Sequence, residues 1–84
     1  MKEYTFQNRL LLTTLTAELK NVSLVLDKTD NLVIDLSNIS SIDSAGIALL
    51  IELKNIAKQK NKQLFYNNPT EDITRLCKLY RVTI

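Results

Sequence analysis

The sequence contains no histidine and only one cysteine, and these two shortages remove most enzyme chemistry. Ser–His and Cys–His nucleophile pairs cannot be built without an imidazole base. Zinc sites draw on Cys and His, so zinc ligation is excluded too. A single glycine rules out a glycine-rich phosphate loop. A single cysteine forbids an internal disulfide, which fits a reducing compartment. That residue, Cys77, stands among apolar neighbours and is expected as a small buried hydrophobe. No stretch approaches the ~20 apolar residues that span a bilayer. Leu10, Leu11 and Leu12 are apolar, but Thr13, Thr14, Thr16 and Glu18 end the run, so no signal peptide is expected. The expected location is the cytoplasm, with membrane contact only through a partner.

What is present is enough for a core. The chain has 84 residues, 45% of them apolar and 24% charged. That suits one domain, residues 1–84, near the lower size limit for folding without disulfides or metal. Disorder needs low hydrophobicity and high net charge, and neither holds. The net charge of +2 implies no nucleic-acid partner, and no basic stretch is interleaved with aromatics. Lys54, Lys58, Lys60 and Lys62 cluster as a solvated helix end, where lysines also complement the helix dipole. Nine carboxylates are scattered, with no pair placed on an expected cleft. No enzyme activity, cofactor or metal is expected.

Along the chain, Tyr4, Phe6, Leu10, Leu12, Thr14 and Thr16 keep a strand-like alternation. Gln7-Asn8-Arg9 reads as a turn, making two strands of a hairpin. Ala17–Leu26 has roughly helical spacing at Leu19, Val22 and Val25–Leu26. Thr29-Asp30-Asn31 reads as a turn. Leu32–Leu36 suits a strand buried on both faces. Ser37–Ser41 reads as a polar connection. Ser44–Lys60 is the best helix, with Asp43 as its N-cap. Gln63–Tyr66 is a second short strand, parallel to the first through a βαβ crossover. Asn68, Pro69 and Glu71 fit N-cap, N1 and N3 of a last helix with an apolar stripe at Ile73, Leu76, Cys77 and Tyr80. Val82–Ile84 is a frayed tail or a short final strand.

The junction Ile42-Asp43-Ser44-Ala45-Gly46-Ile47 stands out, because it follows a strand and opens the main helix. Ser44 falls at N1, near unpaired backbone N–H groups, where added negative charge is tolerated. Its hydroxyl either supports the cap or is a candidate phosphorylation site. Gly46 either allows close helix packing or leaves room for a partner's backbone. Projected at 100° per residue, Leu49, Leu50, Leu53, Ile56 and Ala57 face the sheet, and Glu52, Asn55 and Gln59 lie opposite. Ile47 and Ile51 fall to one side with Ser44, Lys54 and Lys58. Two exposed isoleucines flanked by lysines form a candidate contact patch for a partner with acidic edges.

The stretch LVIDLSNISSIDSAGIALLIELKNIAKQKNKQLFYNNP, with CKLY after it, resembles the centre of the STAS domain. That pattern has an apolar strand ending in D-L-S, a short loop and D-[ST]-x-G-[LI] opening a helix. The resemblance covers about Asn31–Val82. It implies an α/β, STAS-like fold, a small mixed β-sheet of about four strands packed by about three helices, that works by protein–protein contact. Two branches of the family fit. One is similar to the MlaB-like cytoplasmic subunit of the Mla-type (maintenance of lipid asymmetry) phospholipid ABC transporter. It implies docking on the ATPase, and through it the permease, by Asp43, Ser44, Gly46, Ile47 and Ile51, with no direct lipid binding. The other is similar to bacterial anti-sigma factor antagonists, in which a serine at the position of Ser44 is phosphorylated. The small size and the run IDSAGIALLIELKNIAKQKNKQL favour the transporter branch.

Overall fold

A computed structural model describes residues 2–6, 8–10 and 15–84 of the chain. The elements run β1 (Lys2–Thr5), β2 (Asn8–Leu10), α1 (Leu15–Asp27), β3 (Asn31–Asp35), β4 (Ile39–Ile42), α2 (Ser44–Gln59), β5 (Gln63–Asn67) and α3 (Glu71–Tyr80). β3 lies between β1 and β5 in one sheet, and β2 pairs with β4 in a second ladder. All three ladders are parallel. The fold is therefore the expected one in outline, three helices on a small sheet.

The parallel partners correct the hairpin reading of the first ten residues. β1 pairs with β3 and β2 with β4, so the two strands follow each other along β3 and β4 instead of folding back. Of the expected turn Gln7-Asn8-Arg9, Asn8 and Arg9 belong to β2, while Gln7 and the alternation at Leu12 and Thr14 lie outside the described residues. Thr16 belongs to α1, not to a strand.

Helix α1 forms where Leu19, Val22 and Leu26 share one face, and Val22 and Leu26 are fully buried. Strand β3 alternates, with Leu32 and Ile34 buried and Asn31, Val33 and Asp35 only half-buried. It is therefore not buried on both faces: the helices cover one face of the sheet, and Val33 and Phe65 lie on the other. Each fully buried Leu or Ile contributes roughly 1.5–3 kcal/mol. Leu32, Ile34, Leu50 and Leu53 thus form the centre of the fold. Phe6 joins this core and meets the Tyr4 ring edge-on at 5.5 Å.

The segment Ser37–Ser41 is not only a connection, because β4 begins within it at Ile39. Leu36 and Ile39 close a tight turn, with the Ile39 N–H donating to the Leu36 carbonyl at 3.3 Å.

With one glycine in the chain, other residues take the left-handed positions that close helices. Asn61 has φ 58° and Arg81 has φ 57°. After α2, the Lys62 N–H donates to Ala57 and the Asn61 N–H to Lys58, the two bonds of a Schellman close. After α3, Val82 donates to Cys77 and Arg81 to Lys78 in the same pattern. The start of α3 corrects the expected cap. Asn68 is left-handed at φ 56°, and Thr70 is the N-cap, its hydroxyl oxygen accepting from the Ile73 N–H at 3.3 Å. Beyond α3 the chain forms no strand, and Val82 and Ile84 pack partly against the core. Cys77 is half-buried, and burial pushes its thiol up.

Two of the clustered lysines are more than a solvated helix end. α1 has no basic residue in its last turn. Lys62 supplies one from a distance, its ammonium donating to the Leu26 carbonyl at 2.7 Å and the Thr29 carbonyl at 2.9 Å. Lys60 pairs with Asp27 at 2.6 Å, and this pairing holds the Asp27 carboxyl below its ordinary value.

Candidate functional site

The parallel strands β1, β3 and β5 end on the same side of the sheet. There Asp35 closes β3. Its carboxylate accepts from the Ser37 N–H at 2.9 Å, and this backbone bond, with help from the Ser37 and Asn68 side chains, holds it below its ordinary value. The Leu36 N–H donates to the Asn67 carbonyl at 2.9 Å, tying the end of β3 to the end of β5.

The D-S-A-G junction lies between β4 and α2. Asp43 is the N-cap, as expected, in extended conformation, and its Oδ1 accepts from the Gly46 N–H at 3.0 Å. The Asp43 carbonyl accepts from the Ile47 N–H at 3.1 Å as the first helical bond. Half-buried, Asp43 fixes both the start and the direction of α2. Ser44 follows at the first helical position, exposed, with its hydroxyl at the positive end of the helix dipole. Gly46 is buried, so its absent side chain serves close packing within the chain.

Ile47 departs from the sequence reading. It is 2% exposed and belongs to the core, so it offers no surface patch in this chain. A projection that assumes one sheet on one side misses this, because α2 also meets β4 and α3. These contacts widen the buried arc to include Ile47. Ile51 is half-buried beside it. The outward face of α2 is made of Ser44, Ala48, Asn55 and Gln59, with Ile51 and Lys58 on one flank and Glu52 on the other. Sequence reasoning passed over Ala48, although its spacing of four from Ser44 places it on the same face. It is a small exposed residue at the centre of that face.

Lys54 and Lys58 lie farther along, toward the C-terminal half of α2. Lys54 is half-buried, with its ammonium 5.6 Å from the centre of the Tyr66 ring. Lys58 is exposed. The seven site residues thus separate into a cap (Asp43, Gly46), a core member (Ile47) and an outer face (Ser44, Ile51, Lys54, Lys58). Among the described residues no group of three His, Cys, Asp or Glu could hold a metal ion. None of their helices is long and apolar enough to cross a membrane. The arrangement is a flat helix face of small and polar side chains around a capped N-terminus, suited to contact with another protein.

The family described as "Mlab, STAS domain" matches residues 9–84. The chain belongs to the STAS domain family. STAS domains are generally non-catalytic, and membership supports an accessory or regulatory role. Among solved structures, one described as "Crystal Structure Analysis of Mglu" superposes with a TM-score of 0.71 at 16% identity. The match covers 82% of this chain and 17% of that one, so the STAS chain spans a small part of that protein's length. At this identity the likeness concerns the fold alone. Comparison with curated proteins finds no match.

Proposed function

We propose that this STAS domain is a non-catalytic accessory subunit that docks on the ATPase of a Mla-type phospholipid ABC transporter. The observation that carries the reading is the match of residues 9–84 to the family described as Mlab. The outward face of α2 supplies a surface for it. Ser44, Ala48 and Ile51 would contact the ATPase, and Asp43 and Gly46 would hold that face in place. Lys54 and Lys58 would meet acidic groups at its edge. Lipid would not enter this domain, whose interior is filled by side chains such as Phe6, Leu26, Leu50 and Leu53. The protein would reach the cytoplasmic side of the membrane through the ATPase and its permease.

An accessory subunit of this kind acts through differential affinity. It binds one arrangement of the ATPase better than another, or stabilises the assembled form by mass action. Small side chains at Ser44 and Ala48 allow close approach of a partner. A carboxylate at position 44 would bring charge into a partly desolvated contact, so Ser44→Glu weakens docking.

A second reading, an anti-sigma factor antagonist switched by phosphorylation, is favoured by one observation. Ser44 is exposed at the first position of α2, where a kinase could reach it. Purification of the tagged chain from detergent-solubilised membranes of its own cell separates the two. Co-purification of an ABC ATPase and permease supports the first. A soluble serine kinase without transporter subunits supports the second and overturns the first.

A further inference from the structure

Strand β5 lies at an edge of the sheet, with β3 on its inner side. The Gln63 N–H donates toward β3, to the Asp30 carbonyl at 3.0 Å, and the Asn67 carbonyl accepts from Leu36 on the same side. Backbone groups alternate sides along a strand, so the N–H and C=O of Leu64 and Tyr66 point away from β3. No strand among the described residues covers them. Above this edge lies an open groove of about 500 Å³, whose lining includes Lys54, Ala57, Lys58, Lys62, Leu64 and Phe65. No carboxylate lines it. Lys54 rests against the Tyr66 ring, and Lys58 points to solvent. Phe65 is 43% exposed at the border.

We infer that this edge and its lysines form a second binding surface, which takes an extended acidic segment of a partner protein as an added strand. An edge strand offers a ready ladder of backbone hydrogen bonds, and side pockets select the sequence that fills it. The charge decides the occupant. A second copy of this chain is disfavoured, because QLFYN carries no carboxylate and would bring its own flanking lysines against these. Lysines beside an edge generally deter such self-pairing. A strand with alternating apolar and acidic residues meets both features: its carboxylates reach Lys54 and Lys58 on the helix side of the sheet, and its apolar side chains lie beside Phe65 on the other face. This surface shares Lys54 and Lys58 with the flank of the α2 face, but its strand edge at Leu64 and Tyr66 is distinct and does not depend on the transporter assignment.

The test uses the full chain and fluorescein-labelled eight-residue peptides, read by fluorescence anisotropy. One peptide alternates Val and Glu. A second alternates Val and Lys. A third is the Val–Glu peptide with every second amide N-methylated, which removes the strand hydrogen bonds. The Val–Glu peptide binds, and each control binds at least about tenfold more weakly. The double variant Lys54→Glu, Lys58→Glu also loses about tenfold in affinity. If that variant does not fold, Lys58→Glu alone carries the test, since Lys58 is exposed. Amide exchange at Leu64 and Tyr66 slows on binding. No binding of the Val–Glu peptide overturns the inference, as does equal binding of the N-methylated form. Duplex DNA or anionic vesicles displacing the peptide with unchanged exchange at Leu64 and Tyr66 would also overturn it, showing a mere charge patch.

Discussion

The Tyr66 hydroxyl donates to the backbone carbonyl of Leu50 at 2.6 Å, joining β5 near its end to the middle of α2. It is a polar contact that sets the helix against the sheet. Tyr66→Phe keeps the ring and removes the bond. It is expected to cost about 1 kcal/mol in urea unfolding. The pH dependence follows from burial, which pushes the Tyr66 hydroxyl up. A raised folded pKa gives stability that is full below the unfolded value of about 10 and lost as pH rises above it. Tyr66→Phe should therefore show a shallower loss of stability above about pH 10 than the parent chain.

Acid has the opposite sign. Asp27 and Asp35 both have carboxyls held below their ordinary value, the first by Lys60 and the second by the Ser37 N–H. Depressed folded values give stability that is present above the unfolded value of about 3.9 and lost as pH falls through the lower folded one. Asp35→Asn and Asp27→Asn are expected to be less stable than the parent at pH 7. The difference should close as the pH is lowered below about 4, read by urea midpoints across pH.

The two lysines at the end of α1 should differ in weight. Lys62 satisfies two backbone carbonyls, and hydrogen bonds from a charged donor contribute about 1.5–3 kcal/mol when well placed. The Lys60–Asp27 pair is open to solvent, with side chains 37% and 56% exposed. Such pairs contribute under about 1 kcal/mol. Lys62→Met should lower the melting temperature more than Lys60→Met, and added salt should narrow only the Lys60 effect.

The two isoleucines of α2 should also separate. Ile47→Ala empties a core position and is expected to cost about 2–5 kcal/mol. Ile51→Ala, at a half-buried position on the outer flank, should cost less stability while weakening partner binding. Thermal unfolding of both variants, with the binding of Ile51→Ala, checks this division.

Much of this fold was legible because local signals agreed. Asp43 caps α2 in the sequence pattern and in the structure, and Leu49, Leu50, Leu53 and Ala57 repeat at helical spacing over a long element. The parallel pairing of β3 and β5 followed from the helix between them. What escaped depends on distant partners. Ser40 and Ser41 give β4 a polar sequence, and its identity as a strand comes from β2, some thirty residues earlier. The same holds for β1 and β2, whose parallel partners leave no local mark to distinguish them from a hairpin. The α3 cap moved from Asn68 to Thr70 because Asn68 is used for a left-handed turn out of β5. At the site, Ser44 was legible as exposed because it stands at the helix start. Ile47 was not, because its burial is set by β4 and α3, and no single-helix projection contains them.

The central claim is that the outward face of α2 docks on the transporter ATPase. Site-specific photocrosslinking in the native cell tests it most directly, with benzoyl-phenylalanine introduced at Ala48 on that face and, as a control, at Thr74 on the exposed side of α3. A crosslink from position 48 to an ABC ATPase is expected, and none from position 74. A crosslink from position 48 to a serine kinase, or one to the ATPase from position 74 alone, would contradict it.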